Sequence, residues 1–183
     1  DIFMGAVGDF VRVVKNRENY YDSSLMSYFE SSGSKGAGAA ALKGGKLYLS
    51  GGYSFDWDQV MSNTTIFDLK TMEAKKGASL RPGLMDHAVA FLDDGRDGTL
   101  EKKNGSELGK VVVAFGTTDV EGYSNEIKIY DPESDRYKTI GYGDSVTRAR
   151  ALTIDGNVYI AGGCNKDSSS RKIYKIDKIS QTV

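Results

Sequence analysis

The sequence contains a repeated unit that ends in glycine. Three apolar strands have this form, LYLSGG (Leu47 to Gly52), VVVAFG (Val111 to Gly116) and VYIAGG (Val158 to Gly163). An aspartate follows each strand 14 to 16 residues later and opens a turn of the form D-x-x-S/T, at Asp68, Asp131 and Asp177. A weaker first copy ends at Gly8 and has its aspartate at Asp22. Such internal repetition predicts an array of similar structural units.

The spacing of these landmarks gives the length of the unit. The four aspartates lie 46, 63 and 46 residues apart, so the middle interval carries 17 extra residues. A polar stretch, DDGRDGTLEKKNGSELG, lies between Leu92 and Lys110 and accounts for the excess. The repeat is therefore 46 to 47 residues long, a length typical of four-stranded propeller blades.

The residues within the unit indicate an all-β fold. Central strands such as VVVAF are continuous apolar runs, as expected for strands buried on both faces. The segments KGG, DGN and DPES have the residues of tight turns. No window has helical periodicity, and the chain has 22 glycines and two prolines. We therefore predict a β-propeller.

The repeat resembles the kelch repeat. The resemblance rests on an arginine, an apolar strand, a turn, x-Y-x-x-GG, a variable loop, and Y-D-P with an aromatic residue six positions after the aspartate. Arg148 to Gly163 gives the best match to the first half and Ile127 to Tyr137 to the second. Three positions depart from the pattern, because Phe115-Gly116 replaces the glycine pair and Ala74 and Val183 replace the aromatic residue.

The resemblance implies a kelch-type β-propeller with about three full four-stranded blades and one partial blade. The partial blade, with three strands, is expected at 1–30, and the blades at 36–75, 81–140 and 147–183, with the insertion at 93–109. Rings of this type usually close with more blades. Since an open array exposes apolar faces, we expect the rest of the propeller to come from further sequence or from another chain, and we favour further sequence.

The propeller topology predicts one binding surface, which we call the loop face. It consists of the connections from the second to the third strand of each blade, at 53–63, 117–125 and 164–171, and of the links between blades. In kelch-like propellers this face usually carries ligand or partner contacts. Its candidate binding residues are Phe55, Trp57, Asp58, Tyr123, Tyr142, Arg148, Arg150 and Asn165.

Trp57 is the most informative of these candidates. Aromatic side chains on a loop can anchor a protein partner or stack on a sugar. Asp56 and Asp58 flank this single tryptophan and can accept hydrogen bonds from a hydroxylated or basic ligand. In the alternative interpretation, Trp57 folds back over an apolar edge of its own blade.

Other reactive residues have structural interpretations that are favoured. His87 is the single histidine of the chain and begins the apolar segment HAVAF, which indicates a structural role. Cys164 follows the glycine pair at the start of a loop, where a lone, half-buried thiol is favoured over a reactive one. Asp93, Asp97 and Glu101 do not have the ligand spacing of a calcium loop. The sequence therefore predicts no catalytic residue, no metal site and no cofactor.

Charge and composition limit the partners. With 24 basic and 25 acidic residues, the chain has no overall field that would attract nucleic acid or an anionic membrane. No apolar run has the length of a membrane span, so membrane insertion is not expected. The triplets at Asn63 and Asn104 are glycosylation sequons. They permit a secretory origin, and an extracellular location is favoured over a cytoplasmic one.

Two classes of function remain. The first is a non-catalytic propeller module that binds a protein or a glycan through its loop face within a larger, multidomain protein. The second is a propeller enzyme that acts on a carbohydrate or another small molecule at the central funnel. Arg148, Arg150 and Asp144 offer polar groups there, but no acid/base pair is recognisable from spacing. The binding module is favoured.

Overall fold

The computed structural model describes residues 14–15, 18–19, 35–94, 108–119 and 122–183. Apart from one turn of 3-10 helix at Lys43–Gly45, the regular structure of these residues consists of β-strands. The strands are β1 (Val14–Lys15), β2 (Glu18–Asn19), β3 (Gly38–Leu42), β4 (Lys46–Ser50), β5 (Tyr53–Ser54), β6 (Gln59–Val60), β7 (Thr64–Asp68), β8 (Glu73–Lys76), β9 (Ala88–Leu92), β10 (Lys110–Ala114), β11 (Glu126–Asp131), β12 (Arg136–Tyr142), β13 (Arg150–Ile154), β14 (Asn157–Ala161) and β15 (Ile173–Ile176).

Three antiparallel sheets follow one another along the chain. The first blade has the strand order β3-β4-β7-β8, the second β9-β10-β11-β12 and the third β13-β14-β15. Strand β9 contacts both β3 and β13, so the first strands of the three sheets are neighbours. Sheets that share this meander order and meet along their first strands have the arrangement of propeller blades. The all-β prediction is therefore confirmed.

The core lies between the blades. One cluster of buried side chains joins the first and second blades and includes Tyr48, Val111 and Val113. A second cluster joins the second and third blades and includes Val112 and Ile160. Successive residues of β10 thus face opposite neighbours, since side chains alternate along a strand. This explains why its sequence is apolar without interruption.

The repeated aspartates form the turns that the sequence predicts. Asp68 Oδ1 accepts hydrogen bonds from the backbone N–H groups of residues 70 and 71, at 2.8 and 3.2 Å. Asp131 Oδ1 does the same two and three residues on, at 2.9 and 3.3 Å, and so does Asp177 Oδ1, at 2.9 Å in both cases. A carboxylate that binds the backbone ahead of it stabilises the tight turn.

The glycine ends of the strands begin the connections from the second to the third strand of each blade. Gly52, Gly116 and Gly163 have φ angles of 97, 100 and 91°. A Cβ atom at Gly116 would lie 2.8 Å from the carbonyl oxygen of Met85, so a side chain has no room there. Phe115, which replaces the first glycine of the pair, adopts the same left-handed backbone with φ of 63°.

Three regions of the predicted architecture either depart from the four-stranded pattern or lie partly outside the described residues. Of the partial blade at 1–30, the structure describes the two-residue strands β1 and β2. Strand β9 ends at Leu92 and pairs there with Lys110 of β10, and residues 95–107 of the connection lie outside the described residues. The third blade has three strands rather than the four expected, and residues 177–182 after β15 form a turn.

Candidate functional site

Backbone hydrogen bonds bring the inter-blade links and the loops after the second strands together. Met85 pairs with Thr117 in an isolated antiparallel bridge, and Thr147 pairs with Cys164 in another. In each bridge one residue belongs to a link between blades and the other to a connection between second and third strands. These segments therefore lie on one edge of the blades, as the topology of the loop face requires.

The residues that precede the first strands form a backbone ladder from blade to blade. The amide of Asp86 donates to the carbonyl oxygen of Gly36, and the amide of Arg148 donates to that of Asp86, both at 2.8 Å. Arg148 Nε also lies 3.5 Å from Asp86 Oδ2. The Arg148 side chain is exposed beyond this ion pair.

The first connection of the loop face contains a small hairpin of its own. Strands β5 and β6 pair between Tyr53 and Val60, and four residues connect them. Two aromatic side chains in this connection are exposed to solvent, Phe55 by 66% and Trp57 by 57%. The structure thus favours an exposed Trp57 over the alternative in which it covers an apolar edge. We call residues 53–60 the aromatic hairpin.

Tyr53 and Asp58 hold the aromatic hairpin in shape. The rings of Tyr53 and Phe55 pack edge to face, with centroids 5.3 Å apart. The Tyr53 hydroxyl donates to Asp58 Oδ1, and this hydrogen bond raises the pKa of the phenol. Asp58 adopts a left-handed φ of 49°. One carboxylate oxygen of Asp58 therefore stabilises the hairpin. The Asp56 side chain is exposed to solvent.

Asn165 organises the third loop of the loop face. Its Nδ2 donates to the Ser145 carbonyl oxygen at 3.0 Å. Its Oδ1 accepts from the backbone amides of Asp167 and Ser168, at 3.0 and 2.8 Å, and from the Ser168 hydroxyl at 3.2 Å. Both ends of the side-chain amide are thus engaged within the chain.

The other three candidates are distributed around the loop face. Tyr123 is half-buried and its backbone bridges to Thr117. Tyr142 is exposed and is the last residue of β12, rather than part of the link between blades as expected from the sequence. Arg150 begins β13, and its guanidinium donates to the Ala149 carbonyl oxygen at 3.3 Å.

Asp144 forms a polar cluster that sequence analysis did not identify as such. Its carboxylate accepts hydrogen bonds from Lys172 Nζ and from the Ser170 hydroxyl, both at 2.6 Å, and its backbone amide donates to the Tyr174 hydroxyl at 2.9 Å. The hydrogen bond from the Lys172 ammonium and, to a smaller extent, that from the Ser170 hydroxyl hold the pKa of Asp144 below its usual value. The cluster ties a link between blades to the loop that begins at Cys164.

His87 is buried at the contact between the first and second blades. Its Nε2 lies 3.0 Å from the Ser50 hydroxyl, and both residues are buried. Burial disfavours the charged ring and lowers the pKa of His87 to about 4. A Cβ atom built at Gly38 would lie 2.5 Å from His87 Nε2, so the ring fills the space that this glycine leaves. These contacts support the structural role.

A cleft of about 610 Å³ lies at the outer edge between the first and second blades, away from the predicted site. Tyr130, which lines it, donates to Asp135 Oδ1 at 2.7 Å. Behind Tyr130, the hydroxyls of Tyr48 and Tyr137 lie 2.6 Å apart. Burial raises the pKa of Tyr137 to about 12. These phenols stay protonated at neutral pH, so they form a structural hydrogen-bond network.

On the loop face, the acidic side chains of the inter-blade links have partners within the chain. In the ranges 35–94, 108–119 and 122–183, no group of three or more His, Cys, Asp or Glu side chains is arranged to hold a metal ion. The acidic residues of its inter-blade links, Asp86 and Asp144, are paired with Arg148 and Lys172. Within the same described residues, no helix has the length and apolar character needed to cross a membrane.

Comparison with known proteins agrees with this architecture. Residues 146–182 match the Kelch motif. The solved structure of YjhT is similar, with a TM-score of 0.60 and 14% sequence identity, over 77% of this chain and 42% of that chain. No curated protein matches the sequence. The fold is a kelch-type β-propeller with partial blades, and the chain spans less than half the length of YjhT.

Proposed function

We propose that this chain is a non-catalytic propeller module that binds a protein partner through its loop face, as part of a larger assembly. The exposed aromatic pair Phe55 and Trp57 carries the proposal. Aromatic side chains that project from a structured surface are typical anchors of protein interfaces, because they bury a large area at low cost in conformational entropy. The internal contacts of Tyr53 reduce that cost further, since they order the hairpin before binding.

A protein partner is favoured over a glycan by the position of the two rings. Phe55 and Trp57 lie in the connection of a hairpin, where more than half of each side chain is exposed. A projecting pair of this kind fits a pocket on another protein. A sugar needs a flat or concave platform with several polar groups directed at its hydroxyls. The exposed carboxylate of Asp56 beside the rings favours a pocket with a basic rim.

Photo-crosslinking tests the proposal. A benzoylphenylalanine residue at position 57 should crosslink to a protein in extract of the source organism, and addition of unlabelled wild-type chain should suppress the product. The matched control carries the same group at Asp155, which is exposed in the β13–β14 turn at the opposite edge of the blades. Equal labelling from both positions would contradict the proposal, as would glycan-array binding that Trp57→Ala abolishes.

A further inference from the structure

Strand β8 (Glu73–Lys76) has an edge that no described strand covers. It is the outermost strand of the first blade, and all four of its residues are exposed. It pairs with β7 on one side. Its residues also line the cleft of about 610 Å³ between the first and second blades, which we call the inter-blade cleft. A free strand edge presents backbone N–H and C=O groups with which a further strand can pair.

The register of β7 and β8 identifies the backbone groups at this edge. The Gly77 amide donates to the Thr64 carbonyl oxygen at 2.8 Å, so this pair is hydrogen-bonded. Hydrogen-bonded and non-hydrogen-bonded pairs alternate in an antiparallel ladder, so Lys75, two residues earlier, bonds to β7 as well. The N–H and C=O groups of Ala74 and Lys76 therefore point away from β7. Both residues line the inter-blade cleft.

The second blade already supplies an acceptor to this edge. Ala78 is next in the same row of outward N–H groups, and its amide donates to Asp135 Oδ1 at 2.6 Å. A Cβ atom at Gly77 would lie 2.6 Å from the Tyr130 hydroxyl, so the backbone of the first blade meets the second blade at this point. Among the described residues, no group accepts from the two amides that precede Ala78 in the row. These two positions are open to acceptors of another chain.

The charges of the inter-blade cleft favour an acidic occupant. Each of its three carboxylates accepts a hydrogen bond from a side chain of the protein, Asp68 from Lys46, Glu73 from Thr71 and Asp135 from Tyr130. In contrast, no described residue forms an ion pair with Lys75 or Lys76, and both side chains are exposed. Two positive charges are thus left for the carboxylates of a ligand. Ile66 and Pro132 add apolar surface to the cleft.

We propose that the inter-blade cleft binds an extended acidic segment of a partner protein, which adds a strand to β8. The segment accepts hydrogen bonds from the Ala74 and Lys76 amides and donates to their carbonyl oxygens. Its acidic side chains lie opposite Lys75 and Lys76, since opposite charges on paired strands attract. The same two lysines oppose pairing of β8 with β8 of a second copy, because like charges would then meet. This surface lies at the outer edge of the blades and is separate from the loop face.

Fluorescence anisotropy with a labelled peptide tests the proposal. The probe is fluorescein-labelled Thr-Val-Glu-Glu-Val-Thr, which places strand-forming valines beside two acidic residues and reads the same in both directions. We expect saturable binding to the 183-residue chain. The variant Lys75→Glu/Lys76→Glu should bind about tenfold more weakly or worse, because repulsion replaces attraction. Lys70→Glu is the matched control, since Lys70 is exposed in the turn before β8 and outside the cleft, and it should bind like the wild-type chain.

Ala74→Pro tests the main-chain contacts. Proline removes one outward N–H group and no bond to β7, and edge strands tolerate it there. Its far-UV circular dichroism spectrum should match that of the wild-type chain, whereas its affinity for the probe should fall by about tenfold.

Three results with the peptides would overturn the proposal. The first is the absence of saturable binding of the acidic probe, and the second is equal binding of Thr-Val-Lys-Lys-Val-Thr. The third is a loss of affinity in Lys70→Glu that equals the loss in Lys75→Glu/Lys76→Glu. Self-association of the chain that Ala74→Pro abolishes would assign the edge of β8 to a second copy, and would overturn the proposal as well.

Discussion

The second and third blades are built from the same repeat, yet their surroundings differ. The second blade is covered on both faces, and Leu92, at the end of its first strand, has no exposed surface. The third blade is covered on one face, and its register equivalent, Ile154, is about half exposed. The two blades share an apolar pattern because equivalent strands occupy the same place within each blade. How much of that pattern is buried, and so contributes to stability, depends on whether a neighbouring blade covers the face.

The largest expected effect separates these two equivalent positions. Leu92→Ala should lower the free energy of unfolding by about 2–5 kcal/mol, because it removes buried methyl groups and leaves a cavity between blades. Ile154→Ala should cost about 1 kcal/mol or less, since solvent already reaches the side chain. Urea denaturation at low protein concentration, followed by circular dichroism, measures both values. Equal losses would mean that the two blades are equally covered.

The contact between the first and second blades should respond to pH. In the unfolded chain His87 binds a proton near its usual pKa of 6.5, whereas burial in the folded protein lowers this pKa to about 4. Between these pH values the unfolded state binds more protons, so the free energy of unfolding should fall as the pH drops from 6.5 to 4, by up to about 3 kcal/mol.

The variant His87→Gln isolates this contribution. It cannot take up the proton, so its urea midpoint should change less than that of the wild-type chain between pH 6.5 and 5, above the range in which most carboxylates titrate. Parallel pH profiles of the two proteins would show that His87 is not the group responsible.

The smallest expected effect compares two equivalent turns. Asp131→Ala should cost about 1 kcal/mol, because its carboxylate orders the turn between β11 and β12, whose strands both lie in a sheet. Asp177→Ala should cost less, since the turn that it orders connects β15 to no further strand of the third blade. Thermal melts of the two variants measure the difference. A larger loss for Asp177→Ala would indicate that this turn supports a contact beyond the third blade.

The sequence predicts features that repeat, because each copy supports the others. The three turn aspartates and the glycine ends are examples, since their role follows from local backbone geometry. Contacts between residues far apart in the chain do not follow from spacing in this way. The hydroxyls of Tyr48 and Tyr137 are separated by 89 positions, and no local pattern predicts their contact.

The loop face was harder to predict for a related reason. Its segments could be placed on one side of the propeller from topology, but the partner of each side chain depends on the folded shape of each loop. Asn165 is an example, because its amide is engaged by Ser145 and by its own loop. The exposure of Trp57 likewise depends on the aromatic hairpin, which lies outside the repeat.

The backbone ladder that runs from Gly36 to Asp86 to Arg148 has an evolutionary consequence. Each rung is a main-chain hydrogen bond, and the three residues share a left-handed backbone with φ of 74, 53 and 59°. At Gly36 a Cβ atom would lie 2.6 Å from Asp86 Oδ1, so this position requires glycine. Glycine, aspartate and arginine already occupy the three equivalent positions. At the Asp86 and Arg148 positions, substitution by another residue that tolerates a left-handed backbone can therefore change the charge of the loop face while the main-chain rung is kept, so recognition can diverge on a maintained architecture.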